Sequence, residues 1–435
     1  MNEIEEILPR QAIGQHNQFS PFEFVIDKRP HQFLDLNNLF IETTFKLTDN
    51  EGAKLENTTD NKKTEELTLI NYPNGSIWKN IDLFLNGTQV SDPQPNYAYR
   101  AYLDTLVHAT KDQQVGEYTA GGWFKDRAGL SGSKRNIEQN KFPTTVAHTT
   151  NGNNWAAVVR NQVYVKPSDN EVRTWGKLHM DLFNQDRYLV PNVEVRLLLT
   201  RQPDNFILMS GASAPEYMLT LTKVKLYCKF LTPSARLLDA TERQMGIYGS
   251  RYPIERVMVN SYFVPKEALD HQIKNIAVGP MPKLLIVGLV EQGTFAGDMA
   301  TTPYDFKPMK LQELDLLHDN VRIPFHAYEL DNEDGAAAAN CRPYLESMLA
   351  IQSRWDHIPQ ISLSEWHDGY RLYAFDMTKT GHPSGAADTL QGGNLDLNLR
   401  FSTARTKNTQ VVIYQVYDSN IVITQARDVC VDFGL

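Results

Sequence analysis

Hydrophobic positions along this chain recur with a period of two far more often than with the helical period of 3.6. Leu395, Leu397, Leu399 and Phe401 alternate with Asp396, Asn398, Arg400 and Ser402. Val193, Val195, Leu197 and Leu199 line one side of a run that carries Glu194 and Arg196 on the other. The alternation returns at Ile81, Leu83 and Leu85, at Leu178, Met180 and Leu182, and at Leu39, Ile41, Phe45 and Leu47. Successive strand residues point to opposite faces, so each run predicts one buried face and one solvated face, as in antiparallel sandwiches. Lys283–Val290 is apolar almost throughout and predicts a strand buried on both faces. Turn formers such as Asn86-Gly87, Asp92-Pro93 and Gly392-Gly393-Asn394 separate the runs.

Helical spacing is confined to three short stretches. Tyr97–Thr110 follows Pro95 and a candidate cap, Asn96, and repeats Tyr99, Tyr102, Leu103, Leu106 and Val107. Ala336–Ile351 carries Tyr344, Leu345, Met348, Leu349 and Ile351, and Ser234–Gly246 follows Pro233 near the middle of the chain.

The two halves resemble each other. Arg100-Ala-Tyr-Leu-Asp-Thr-Leu106 recurs as Arg342-Pro-Tyr-Leu-Glu-Ser-Met348, each inside a predicted helix. Around it, Asn80–Leu85 pairs with Asn320–Phe325, Gly176–Leu182 with Gly393–Leu399, and Asn192–Val195 with Asn408–Val411. Repeats in fixed order specify a repeated architecture. The offset is 242 at Arg100/Arg342 and 217 at Gly176/Gly393, so the first copy holds about 25 extra residues, expected in a turn-rich surface excursion at 113–153. The fold expected is all-β: two tandem eight-stranded antiparallel jelly rolls with a few short helices. The divisions expected are an N-terminal arm at 1–18, which lacks strand alternation, jelly roll 1 at 19–232, a linker helix at 233–249 and jelly roll 2 at 250–435.

Composition narrows the function. A chain of 435 residues that is 41% hydrophobic and 10% aromatic holds two to three packed domains and is not disordered. No stretch approaches the ~18 apolar residues of a membrane span, and the acidic start Met1-Asn2-Glu3-Ile4-Glu5-Glu6 lacks the apolar core of a signal peptide, so synthesis in a reducing compartment is expected. Cys228, Cys341 and Cys430 stand far apart and suggest neither zinc nor disulfides. The glycosylation-like triplets at Asn57, Asn74 and Asn86 read better as turns. With a net charge of −9 and no Lys/Arg block, the chain lacks the basic face that phosphate neutralisation requires, so tight or sequence-specific DNA binding is not expected.

Catalytic patterns are missing: there is no phosphate-binding loop, dinucleotide fingerprint, zinc-protease helix or serine elbow. His326 and Glu329 are too few for a metal site, which needs three or four converging groups. Glu365, Trp366, His367 and Asp368 form the most enzyme-like cluster, read here as a loop entering the strand Arg371–Phe375 through Gly369. Trp78, Trp123, Trp155, Trp175, Trp355 and Trp366 suit a sugar platform or, more often, core and interface anchors. No catalytic, cofactor-binding or metal residue is expected. A tandem β-sandwich carbohydrate-binding protein is the alternative function, and a β-sandwich hydrolase or lyase a third.

Leu36-Asn37-Asn38-Leu39, the stretch from Asn71-Tyr72-Pro73 to Asn86-Gly87-Thr88, the Tyr97–Thr110 helix and the run from Gly393–Leu399 to Asp418–Ile423 resemble the major capsid proteins of Polintons (Mavericks), large self-synthesising DNA transposons, and of the related adintoviruses. The resemblance spans both halves. It implies a double jelly roll, a homotrimeric capsomer of hexagonal outline, and an icosahedral virion shell around a double-stranded DNA genome. It also implies penton and minor capsid proteins as partners and assembly inside the host cell. In that setting residues 1–18 would grip neighbouring subunits, and 113–153 would form an outer or intersubunit loop.

Overall fold

Eight strands in each half of the chain pair into two antiparallel sheets, and the order of pairing is the same both times. The computed structural model describes residues 2–14, 19–55, 67–91, 96–128, 154–165, 171–210, 217–331, 339–378 and 392–432. In the first half one sheet runs β1 (Asn2–Ile7), β10 (Tyr217–Leu231), β3 (Phe33–Asp49), β7 (Glu171–Lys177). The facing sheet runs β2 (Phe22–Ile26), β8 (Val195–Arg201), β5 (Trp78–Leu85), β6 (Thr88–Gln89). A small ribbon of β4 (Leu67–Leu69) and β9 (Leu208–Ser210) stands apart.

In the second half, β11 (Ser250–Val264), β18 (Thr409–Ile423), β13 (Leu284–Glu291) and β16 (Leu372–Asp376) form one sheet, with β19 (Val429–Asp432) added beside the end of β18. β12 (Asp270–Pro280), β17 (Gly392–Phe401), β14 (Leu311–His318) and β15 (Val321–Glu329) form the other. Each half therefore places its first, eighth, third and sixth strands in one sheet and its second, seventh, fourth and fifth in the other, which is the jelly-roll arrangement.

The predicted periodicities place the core. In β2, Phe22, Phe24 and Ile26 are buried and the residues between them are not. β13 is buried on both faces and lies between β18 and β16, as its unbroken apolar run requires. In the middle of β13 a side chain at Gly288 would place its Cβ 2.5 Å from the Phe306 ring, so only glycine fits. The Asn86-Gly87 pair, with φ of 47° and 86°, closes the tight hairpin from β5 to β6. The linker helix α2, predicted at Ser234–Gly246, spans Ala235–Tyr248, and the Ser234 hydroxyl accepts from the Leu237 amide at its start.

Several expectations are corrected. Within the segment expected to be an N-terminal arm, Asn2–Ile7 is the first strand of the first roll and pairs with β10 in the register Ile4↔Lys229. Leu178, Met180 and Leu182 do not form a strand: β7 stops at Lys177, and Asp181–Asn184 is a 3-10 turn. Gly392-Gly393-Asn394 begins β17 rather than forming a turn. Asn74 lies buried in the short helix Pro73–Ser76.

Three of the four paired segments slip by one strand. Asn80–Leu85 lies in the fourth strand of its roll, but Asn320–Phe325 runs into the fifth; Gly176 ends a sixth strand, but Gly393 starts a seventh. Asn192–Val195 likewise leads into a seventh strand and Asn408–Val411 into an eighth. The helical pair holds its place: α1 (Tyr97–Leu103, continued by a π turn Asp104–His108) and α3 (Cys341–Trp355) both connect the fifth strand to the sixth. That connection runs from His108 to Glu171 in the first roll but only from Trp355 to Leu372 in the second, so the excess is well over 25 residues.

The excursion at 113–153 also does not stay at the surface: Gln114, Trp123 and Asp126 are buried. Residues 129–153 lie outside the described residues, as do Asn57 and the predicted start of α3 at Ala336.

Candidate functional site

Among the described residues, a buried polar network lies where the two rolls meet. A Tyr-rich helix, α1, is driven into this seam because nearly every side is bulky and apolar, and all seven of its residues are buried. Asn96 does not cap it. Its side-chain amide instead donates to the Val259 carbonyl of the second roll, at 2.8 Å. Tyr99 donates to the Pro303 carbonyl at 3.0 Å, and Tyr102 stacks on Tyr304 with ring centroids 3.9 Å apart. The Tyr304 hydroxyl lies 2.6 Å from that of Ser76.

Polar residues of the same helix form a closed network. Arg100 is hydrogen-bonded to Asp181 and lies 3.7 Å from Asp104, one turn further on. Asp104 accepts from Tyr414 of β18 at 2.6 Å and faces His179 Nδ1 at 3.2 Å. The other His179 ring nitrogen lies 2.9 Å from the Tyr72 hydroxyl. Asp181 accepts the Val257 amide of β11 at 3.1 Å. Burial opposes ionisation of Asp104, but the His179 hydrogen bond and the Arg100 charge outweigh it and hold its pKa at about 2. Burial pushes the Asp181 pKa up despite Arg100, and burial together with Asp104 pushes the Tyr414 phenol far up. Such a network is buried away from solvent. It fixes which faces of the rolls may touch, since any slip strands a buried charge.

Further clamps hold the seam at separate points. Tyr252 of β11 accepts from the Val190 amide and donates to the Tyr188 carbonyl. Asn86 donates to the Arg427 carbonyl, and Arg427 donates to that of Pro191, both at 2.8 Å. The start of the 113–153 excursion joins in. Asp126 binds Arg160 at 2.7 Å while its carbonyl accepts from Tyr370, and Lys125 meets Glu365 at 2.9 Å. One continuous cluster of buried apolar residues runs through both rolls.

The enzyme-like cluster has a structural place. Glu365–Asp368 is not a loop but the end of the short helix α4 (Leu363–Asp368), where Glu365 and Ser362 form a reciprocal capping box. Trp366 is fully buried, and its indole donates to the Leu372 carbonyl. The strand that follows, predicted at Arg371–Phe375, is β16. His326 and Glu329 lie on β15, and among the described residues no three His, Cys, Asp or Glu side chains group to hold a metal. Trp78 and Trp123 are buried, while Trp155 and Trp175 are partly exposed. Trp175 packs on Tyr227 with centroids 4.4 Å apart. Cys228 is buried, Cys341 and Cys430 are exposed, and all three are free thiols. No helix among the described residues is long and apolar enough to cross a membrane. Sequence reasoning missed Asp104, His179, Asp181 and Asp126. The available signal was an Arg and an Asp one turn apart inside an otherwise aromatic helix.

No known protein-family profile matches the chain. It is 22% identical over 430 residues to an uncharacterized protein of Caenorhabditis elegans, an alignment that covers 95% of this chain and 93% of that protein. Among solved structures it resembles a chain of the Sputnik virophage, with a TM-score of 0.64 at 14% identity, covering 100% of this chain and 89% of that one. It also resembles the Faustovirus major capsid protein, with a TM-score of 0.55 at 9% identity over 98% of this chain and 90% of that one. The mavirus major capsid protein gives 0.53 at 10% identity over 99% and 90%. At such identities the shared property is the fold. The chain has a double jelly-roll fold, which it shares with viral major capsid proteins.

Proposed function

We propose that this chain is a major capsid protein that forms homotrimeric capsomers of hexagonal outline. These tile an icosahedral shell around the double-stranded DNA of a virus or virus-like transposon. The observation that carries this reading is the clamped seam: two rolls of identical strand order are locked into one unit, so three copies present six similar blocks about a threefold axis. Full-length likeness to viral capsid proteins supports the same reading. A Polinton-like source, related to adintoviruses, is favoured by the sequence resemblance and by a near full-length relative in an animal, Caenorhabditis elegans.

On this reading the chain is a structural component of the virion and not an enzyme. Its partners are further copies of itself, with penton and minor capsid proteins at the vertices and seams of the shell. The net charge of −9 suits a wall around a genome that other components package. The test is purified full-length protein analysed by light scattering and negative-stain electron microscopy. The expected result is a threefold particle with a hexagonal outline. Strictly monomeric protein under every assembly condition, with saturable glycan binding, would replace this reading by a carbohydrate-binding one.

A further inference from the structure

We infer that the exposed face of α3 is a contact between copies of this chain, seated on the outer face of the β1-β10-β3-β7 sheet of the next copy. The inference rests on the self-assembling reading above and names the surfaces that assembly uses. It comes from comparing the two helices that connect the fifth and sixth strands of their rolls. Arg100 matches Arg342, Leu103 matches Leu345, Asp104 matches Glu346, and Val107 matches Leu349.

In the first roll all four are buried; Asp104 accepts from Tyr414 of the second roll, and Arg100 is linked to that roll through Asp181, which accepts the Val257 amide. In the second roll Leu345 is 55% and Leu349 48% exposed. The matching Arg342–Glu346 ion pair, at 2.9 Å, leaves 49% and 41% of its side chains in solvent. Two leucines one turn apart beside an ion pair form an apolar stripe on an outward face, where a helix facing only water carries polar residues.

The seam inside the chain indicates what covers the stripe. There, the first-roll helix lies against the first and eighth strands of the roll that follows, at the Val259 carbonyl and Tyr414. After the second roll, the next roll in a closed ring is the first roll of another copy. The matching sheet of that roll offers Phe40, Trp175 and Tyr227 packed together, with Trp175 38% exposed. Lys225, paired with Glu6 at 2.9 Å, and Glu42, hydrogen-bonded to Tyr227, give this face both signs of charge to meet Arg342 and Glu346. Repeating the same roll-to-roll contact around an axis closes a ring that contains both rolls of every copy.

The test uses the full chain carrying Leu345→Asp and Leu349→Asp, with mass measured by sedimentation and folding by circular dichroism. The expected result is a monomer with the thermal transition of the parent. A folded variant that assembles like the parent would overturn the inference. If the parent chain is itself monomeric under all conditions, the capsid reading fails instead. A second measurement covers a variant that does not fold: Leu349→Cys with Lys225→Cys, in a Cys341→Ser, Cys430→Ser background, oxidised and run on a non-reducing gel. A ladder of covalent multimers is expected, and an intact assembly without such a ladder would refute the pairing of these two faces.

Discussion

Arg100 sits between Asp104 and Asp181 inside the seam, and the three charges act as one unit. Substituting Arg100→Met leaves two carboxylates without their shared cation, which costs on the order of 3–5 kcal/mol. Urea denaturation of parent and variant measures this, and a loss below about 1 kcal/mol would show that the network is not structural. Acid titration gives an independent check. The Asp104 pKa of about 2 lies below its ordinary 3.8, so its ionised form stabilises the fold above pH ~4. That contribution, roughly 2–3 kcal/mol at ~1.36 kcal/mol per pH unit, is lost as pH falls through about 2. Asp181 acts in the opposite sense, since protonation relieves its burial. The expected outcome is a gap in unfolding free energy between the parent and Asp104→Asn that is full at pH 5 and closes toward pH 2; a constant gap would reject it. These residues were hard to read in the sequence for a physical reason. His179 and Asp181 alternate with Leu178, Met180 and Leu182, so the pattern assigns them to a wet face. They are buried instead because the segment leaves the strand: His179 packs among Tyr72, Tyr118 and Asp104 of its own roll, and Asp181 meets the Val257 amide of the second.

At the scale of elements, the hydrophobic pattern located β3, β5, β8, β13 and β17 but could not identify which strand was which. One alternating run matches any other, so Gly176 and Gly393 aligned convincingly while lying one strand apart. The helical match at Arg100 and Arg342 held because its residue types do not follow from periodicity. The excursion at 113–153 misled through composition: its glycines and polar residues suggested a surface loop, yet Trp123 packs on Tyr72 and Tyr102 with centroids 6.1 and 5.3 Å away. Trp123→Ala is therefore expected to cost about 3–5 kcal/mol. Trp155→Ala, at a side chain 41% exposed, is expected to cost under about 1 kcal/mol. Chemical denaturation of the two variants tests whether Trp123 is a core anchor, with Trp155 as the exposed control, and equal losses would contradict this account.

For the whole molecule, length and repetition suggested two domains, whereas the apolar core and the polar clamps run through both rolls without a break. Calorimetry should record one cooperative transition, and residues 250–435 expressed alone should be poorly soluble because Tyr252, Tyr304 and Tyr414 lose their cover. Two separated transitions would show that the seam couples the rolls only loosely. The pairing of β1 with β10 also sets a timetable for synthesis. The first strand leaves the ribosome with residue 7, but its partner is complete only at residue 231. At roughly 5–20 residues per second, the strand waits some tens of seconds for the edge it will occupy. Through that interval β3 has no β10 beside it, so the growing chain carries an open sheet edge that the cell must keep from pairing with its neighbours.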